Sequence, residues 1–187
     1  MKEVNYVTGN DYKFSEAVHQ LKKHNIKPKQ IKLDIDEIQE QGKLVAIDKA
    51  RKAYEITKKP ILVNDASWEI PALNGFPGPY MKDVQDWFST KDFINLMRDQ
   101  EDRTVLIIEY LVYKDANTEH VIEHIYKGKI VEPRGGDKVK ANSIEKVAEF
   151  NGKTLAEHHD SGKLVHNFDS GHSLWDVFAE WYNNFSG

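Results

Sequence analysis

The chain has 187 residues, no cysteine, 26 lysines and arginines against 30 aspartates and glutamates, and a formal charge of −4. That length buries a substantial core and suits one domain over residues 1–187, with room for two lobes. The missing cysteines exclude disulfide scaffolds, cysteine-ligated zinc, iron–sulfur clusters and thiol nucleophiles, and apolar runs of four residues such as Val105-Leu106-Ile107-Ile108 fall far short of the roughly 20 that cross a membrane.

Met1 to Tyr6 holds no apolar run of signal-peptide length and starts directly in strand-like sequence, which points to a cytoplasmic protein. Val4 to Val7 predicts a short buried strand that stops at Thr8-Gly9-Asn10. Phe14, Ala17, Val18 and Leu21 then recur at helical spacing up to about Asn25. Ile31 and Leu33 predict a second strand, and Leu44 to Ile56 a helix with Ala46, Ile47, Ala50, Ala53 and Tyr54 on its apolar side. Ile61-Leu62-Val63, bounded by Pro60 and Asn64, reads as a short interior strand. Phe76-Pro77-Gly78-Pro79 reads as a rigid turn, since both prolines fix φ and lack a donor. Val105 to Tyr113 and Val121 to Val131 are extended segments separated by Lys114 to Thr118, which has hairpin-loop composition. Trp175, Phe178, Ala179 and Tyr182 make one face of a last helix. Alternating strands and helices give an α/β protein, and the long hairpin makes its sheet mixed.

Three places carry candidate chemistry. Between Tyr6 and Glu16 a strand runs into a glycine turn and then a helix start, offering free backbone N–H groups and the positive end of a helix dipole to an anion, with Lys13 as a mobile charge. An ordinary βα turn with a solvated lysine has the same sequence. Glu37 and Asp65 each follow a strand, and carboxylates at the C-terminal ends of neighbouring strands lie where α/β folds bind ligands. Facing phosphate oxygens they suit Mg²⁺, which takes few protein ligands and keeps several waters; solvated strand-end acids are the alternative. The third place is the segment from Asn64 to Lys82.

Thr8-Gly9-Asn10-x-x-Lys13-x-x-Glu16 matches a TGNxxKxxE signature, and Ala72-Leu73-x-Gly75-x-Pro77-Gly78-Pro79-Tyr80-x-Lys82 matches ALxGxPGPYxK. Asp36-Glu37-Ile38-Gln39 is similar to PEIQ, and Gly128 to Gly135 to GxIVEPRG. On these residues the chain resembles the Ham1 family, the inosine triphosphate pyrophosphatases, over nearly its whole length, though the likeness thins after Gly136. The resemblance implies hydrolysis of non-canonical purine nucleoside triphosphates (ITP, dITP, XTP) to the monophosphate and pyrophosphate, with Mg²⁺, by a homodimer. Its fold would be a long mixed β-sheet with helices forming two lobes around a central cleft. It further implies phosphate contacts from Thr8, Gly9, Asn10 and Lys13, metal ligation by Glu37 and Asp65, and triphosphate contacts from Lys49 and Lys82. Asp65 would also be the base that activates the attacking water, with Lys13 beside it in catalysis. Thr154-Leu155-Ala156-Glu157 resembles TxAE, and Lys163 then falls at a nucleotide-contacting lysine.

The chain departs from the family pattern at three points. Asn64 stands where the family has a first acid beside Asp65, which removes one negative charge. Val139-Lys140-Ala141-Asn142 takes the place of FGWD, whose aromatic residue stacks on the purine. Asn167-Phe168-Asp169 falls where SHR would read the base edge, with His172 in Ser170-Gly171-His172-Ser173 as a nearby substitute. The phosphate and metal end is thus retained and the base end rewritten. Such a chain is expected to be a pyrophosphatase with altered base preference, or else a non-catalytic nucleotide-binding paralogue. A nucleoside triphosphate is the expected partner; the net acidity argues against nucleic acid, although Arg134, Lys138, Lys140, Lys146 and Lys153 form a basic stretch, either solvated or facing phosphates. His120-Val121-Ile122-Glu123-His124 fits a zinc-peptidase HxxEH pattern, but on a strand its histidines stand about 13 Å apart, too far for one metal. His158 and His159 read as exposed loop residues. Trp68 and Phe76 are candidates for base stacking or for core packing.

Overall fold

Helices supply the crossovers that parallel strands require. In the computed structural model, which describes residues 1–161 and 173–185, β1 (Lys2–Val7) is followed by α1 (Asp11–Lys22), β2 (Ile26–Ile31), α2 (Gly42–Thr57) and β3 (Ile61–Ile70). β1 pairs in parallel with β2, from Lys2 opposite Ile26 to Val7 opposite Ile31, and with β3, from Asn5 opposite Ile61 to Val7 opposite Val63. A single 3-10 turn (Pro71–Leu73) leads to β4 (Phe76–Gly78), α3 (Met81–Trp87), α4 (Thr90–Leu96), and the long strands β5 (Thr104–Lys114) and β6 (Glu119–Ile130). β7 (Ala148–Phe150), β8 (Lys153–Thr154), α5 (Leu155–Asp160) and α6 (Leu174–Asn184) complete the described elements. The strand order is β2-β1-β3-β5-β6-β7-β8, with β4 antiparallel on β3 and with β6, β7 and β8 antiparallel in turn, so the sheet is mixed as expected. No described helix is long and apolar enough to cross a membrane.

The chain divides into two compact units. The first holds Met1–Ala66, Glu109–His124 and His172–Gly187; the second holds Ser67–Ile108 and Ile125–Gly171. Leu21, Leu62, Leu111 and Phe178 are fully buried in the core of the first unit, each contributing about 1.5–3 kcal/mol by its burial. The second unit packs Ile70, Phe93, Met97, Val105, Ile144 and Phe150. Trp175, Phe178 and Ala179 are buried in the first core, as the spacing of the last helix predicts.

Several elements differ from the sequence expectation. The first helix stops at Lys22, and Asn25 takes a left-handed φ of 60° before β2. The second strand lies at 26–31, because its register is set by β1, and Leu33 falls beyond it. The strand at Ile61 does not end before Asp65. It continues to Ile70 because Trp68, Glu69 and Ile70 find ladder partners in β4, so Asp65 lies inside a strand rather than at its end. Phe76-Pro77-Gly78, expected in a turn, forms that partner strand, with a cis Phe76–Pro77 peptide. The chain turns earlier, where Asn74 and Gly75 have φ of 54° and 86°.

His158 and His159 belong to a helix, not a loop: Thr154 Oγ1 accepts from Glu157 N at 3.2 Å and Glu157 Oε2 accepts from Thr154 N at 2.7 Å. The TxAE-like residues are therefore a capping box. Both histidines are half-buried, and His158 Nε2 lies 3.2 Å from Phe150 O. His120 stacks on Trp181 with ring centroids 4.0 Å apart, and burial pushes its pKa down. The hairpin turn between β5 and β6 is closed by Asp115, whose Oδ1 accepts from Asn117 N at 2.9 Å and Thr118 N at 2.7 Å.

Candidate active site

The Thr8–Lys13 turn is built by its own side chains. Thr8 Oγ1 accepts from Asn10 N at 3.1 Å, and Asn10 Oδ1 accepts from Tyr12 N at 2.9 Å and Lys13 N at 3.2 Å. Asn10 is thus the N-cap of α1. Three of the amides expected to be free for an anion are taken by these bonds, which leaves the Asn10 side-chain Nδ2 and the Lys13 ammonium available to a ligand. Lys13 is half-buried and makes no ion pair with a described residue. Gln30 braces the turn from β2, donating to Thr8 O at 3.2 Å and Asp11 Oδ1 at 3.1 Å. Lys32 lies 2.7 Å from Asp11, and with Gln30 it holds that carboxyl below its ordinary pKa.

Gly9 is needed neither for backbone conformation nor for packing. Its φ is outside the left-handed region, and a Cβ placed on it would meet nothing within 4 Å. The exposed space above Gly9 is room that a ligand can use, since a residue without a side chain lets a ligand approach the backbone closely.

The second cluster joins three elements of the same unit. Glu37 lies in the irregular segment between β2 and α2, Lys49 on α2 and Asp65 on β3. Lys49 Nζ donates to Glu37 Oε1 at 2.7 Å and to Asp65 Oδ2 at 3.1 Å. Burial works against the charge of Lys49, but Asp65 and Glu37 outweigh it and hold its pKa above the ordinary lysine value. The other Asp65 oxygen, Oδ1, accepts from Ala66 N at 2.9 Å. One turn along α2, Lys52 Nζ donates to Asp36 O at 2.8 Å and ties the same irregular segment to the helix.

Glu37 and Asp65 fit a magnesium-type ion on donor chemistry. Both are hard oxygen donors whose oxygens a single ammonium bridges, so both converge on one point. Among the described residues no group of three or more metal-ligating side chains gathers.

Asn64 points away from this cluster. Successive strand residues face opposite sides of a sheet, and Asn64, 9% exposed, donates Nδ2 to Tyr110 O at 3.4 Å. A carboxylate cannot make that bond, so the lost acid is exchanged for a buried amide that matches its surroundings. Lys82 is exposed in the first turn of α3, in the second unit. Lys163 and His172, with Asn167 to Asp169, lie outside the described residues.

The stretch leading into the segment where the family pattern has FGWD, and that segment's first residue, are held by a residue outside it. Asp160, at the end of α5, accepts from the consecutive amides of Gly136, Asp137, Lys138 and Val139 at 2.8–3.1 Å. Those bonds keep its carboxyl below its ordinary pKa. Arg134 pairs with Glu149, and its Nε lies 3.6 Å from Glu157, so this member of the basic stretch is neutralised locally. Trp68 meets Phe150 edge-on at 6.3 Å and Phe76 packs on Phe88 at 5.7 Å, so both aromatics contribute to the second core.

A model of the Ham1 family matches residues 4–167. The chain belongs to that family. It is 32% identical over 183 residues to the inosine triphosphate pyrophosphatase of Pyricularia oryzae, spanning 96% of this chain and 95% of that one. It is 30% identical over 187 residues to the dITP/XTP pyrophosphatase of Methanosarcina mazei, spanning 97% and 98%. The fold matches that of a HAM1 protein from Coxiella burnetii with a TM-score of 0.80 at 20% identity, over 99% of this chain and 100% of that one. In this Ham1 protein, sequence reasoning overlooked Gln30, Lys52 and Asp160. Only the position of Lys52, three residues after Lys49 and so on the same helix face, carried a readable signal.

Proposed function

We propose that this Ham1 protein is a pyrophosphohydrolase that converts nucleoside triphosphates to the monophosphate and pyrophosphate, with Mg²⁺ held by Glu37 and Asp65. The observation that carries this reading is the convergence of Glu37 and Asp65 on one cation position, in a chain 32% identical to a named inosine triphosphate pyrophosphatase. When bound, the ion supplies charge neutralisation at phosphate oxygens and a lowered pKa for water.

The chain's own groups account for the rest. Phosphoryl transfer is mostly positioning and charge stabilisation. Lys13 neutralises phosphate oxygens above Gly9, and Asn10 Nδ2 and the Thr8 hydroxyl orient them. Asp65 accepts a proton from the attacking water at Oδ1, the oxygen that the Ala66 amide orients and that is not turned to the cation position. The water oxygen bonds to the α-phosphorus, and the bridging oxygen leaves with pyrophosphate. Lys49 contacts the triphosphate; Lys82, Lys163 and His172 join it on the family pattern alone. The 139–142 segment stands where the family pattern has its base-stacking loop, and the missing aromatic there shifts base preference. The reading carries the family's expectation of a cytosolic homodimer.

Pyrophosphate release over a panel of canonical and deaminated nucleoside triphosphates with Mg²⁺ tests it. Release is expected for at least one of them, and Asp65→Asn lowers it by about 10³-fold, within the usual range for removal of a general base. Release by the parent chain no faster than by Asp65→Asn overturns the hydrolase reading. A triphosphate-induced rise in Tm without turnover then identifies a binding module.

A further inference from the structure

The ammonium of Lys49 occupies the oxygens that a divalent ion needs. It lies 2.7 Å from Glu37 Oε1 and 3.1 Å from Asp65 Oδ2, and Asp65 Oδ1 is already engaged by the Ala66 amide. An ion bound at about 2.0–2.1 Å to those carboxylates stands beside a like charge. Lys49 and Asp65 are only 23% and 19% exposed, so solvent screens that repulsion weakly. Ammonium and divalent ion therefore compete for one place. Lys49 can leave it, because its four-carbon stem re-aims a compact charge freely. Glu37 does not leave with it, because Lys52 holds the same segment through Asp36 O at 2.8 Å.

We propose that Lys49 is an internal counter-ion that holds Glu37 and Asp65 together until a divalent cation displaces it, and that the displaced ammonium then meets the incoming triphosphate. Metal and nucleotide thereby strengthen each other's binding, a coupling that is reciprocal by linkage. The inference rests on the reading of Glu37 and Asp65 as metal ligands. Without Lys49, two carboxylates facing each other repel and await any cation; with it, the site is neutralised in advance and selects a metal that arrives with phosphate.

The test is Mn²⁺ binding to the full chain, by calorimetry or by the spin-resonance signal of the free ion, with and without an α,β-methylene triphosphate analogue. Mn²⁺ alone is expected to bind Lys49→Met about tenfold more tightly than the parent chain, and the enhancement by the analogue is expected to shrink from the parent value, within the roughly 5- to 150-fold span of such couplings. Lys49→Gln carries the same expectation should the methionine variant fail to fold. The arm with Mn²⁺ alone is decisive, since nucleotide phosphates also ligate the ion. Equal or weaker Mn²⁺ binding by a folded Lys49 variant, with binding still abolished by Asp65→Asn or Glu37→Gln, overturns the counter-ion role and leaves the ligand reading standing. Unchanged binding in Asp65→Asn and Glu37→Gln overturns the ligand reading itself, and the counter-ion role with it.

Discussion

The Thr8–Lys13 turn with its neighbouring Glu37–Lys49–Asp65 cluster, and the 136–142 segment of the second unit, are fixed in opposite ways. In the first region the side chains named by the family signature themselves make the structural bonds: Asn10 caps α1, and Lys49 spans Glu37 and Asp65. In the second, the backbone is gripped from outside by Asp160 while Val139 and Lys140 stay exposed. The difference teaches where change is tolerated. Every nucleoside triphosphate presents the same phosphates, so a region whose side chains make the structural bonds and, on the proposed reading, also meet phosphate has little freedom. A region whose shape does not depend on its own side chains can exchange them, and this chain departs from FGWD from Val139 onward, where the pinned stretch ends.

Substitutions in the two regions can break this contrast. Outside the two carboxylates, the largest effect is expected at Gly9. Gly9→Ala puts a methyl group into open space, so Tm stays within a degree or two, while kcat/KM for the best triphosphate falls by about 10²-fold, a loss typical of small displacements in a reacting complex. Parallel steady-state kinetics and thermal melts measure both; an unchanged kcat/KM removes Gly9 from the phosphate site. Asp176 provides a contrast within the first unit but away from its chemistry. Burial opposes its ionisation, yet the Ser173 hydroxyl and amide and the His24 ring at 2.6 Å outweigh that and bring its pKa down to about 2. A depressed carboxylate stabilises the folded chain at pH values above its unfolded pKa near 3.8 and loses that contribution as pH falls toward 2. Asp176→Asn is therefore expected to lower neutral-pH stability by about 2 kcal/mol and to flatten the acid limb of a denaturation profile, with kcat/KM unchanged.

The smallest effect is expected in the second region. Asp160→Ala strips four amides of their acceptor, so hydrogen exchange at residues 136–139 accelerates. The ratio of kcat/KM between deaminated and canonical triphosphates then shifts about threefold, well under the tenfold that about 1.4 kcal/mol would give, with the common phosphate chemistry preserved. An equal loss on every nucleotide instead breaks the contrast between the regions.

The α/β order, the long hairpin, the last helix and the TGN turn were legible because each rests on local signals: apolar period, turn composition and a glycine between strand and helix. The length of β3 was not legible, since Asn64-Asp65-Ala66-Ser67 is polar and stays extended through ladder bonds to residues far along the chain. The role of Asn64 was hidden for the same reason, as its partner is a carbonyl on β5. The short helices α3 and α4 have too few turns for a period to show, although Ser89 and Asp92 form a capping box that marks the start of α4. At the candidate site the motif residues could be named from sequence, but not that Lys49 bridges the two carboxylates.

Asp160 has one more consequence. A segment whose main chain is pinned through four N–H groups keeps its course whatever its side chains are, proline excepted for want of an N–H, provided Gly136 retains its φ of 82°. Positions 137–139 are thus a natural cassette. Libraries randomised there should yield folded proteins at high frequency, making this short stretch the place to graft new recognition onto an intact hydrolytic frame.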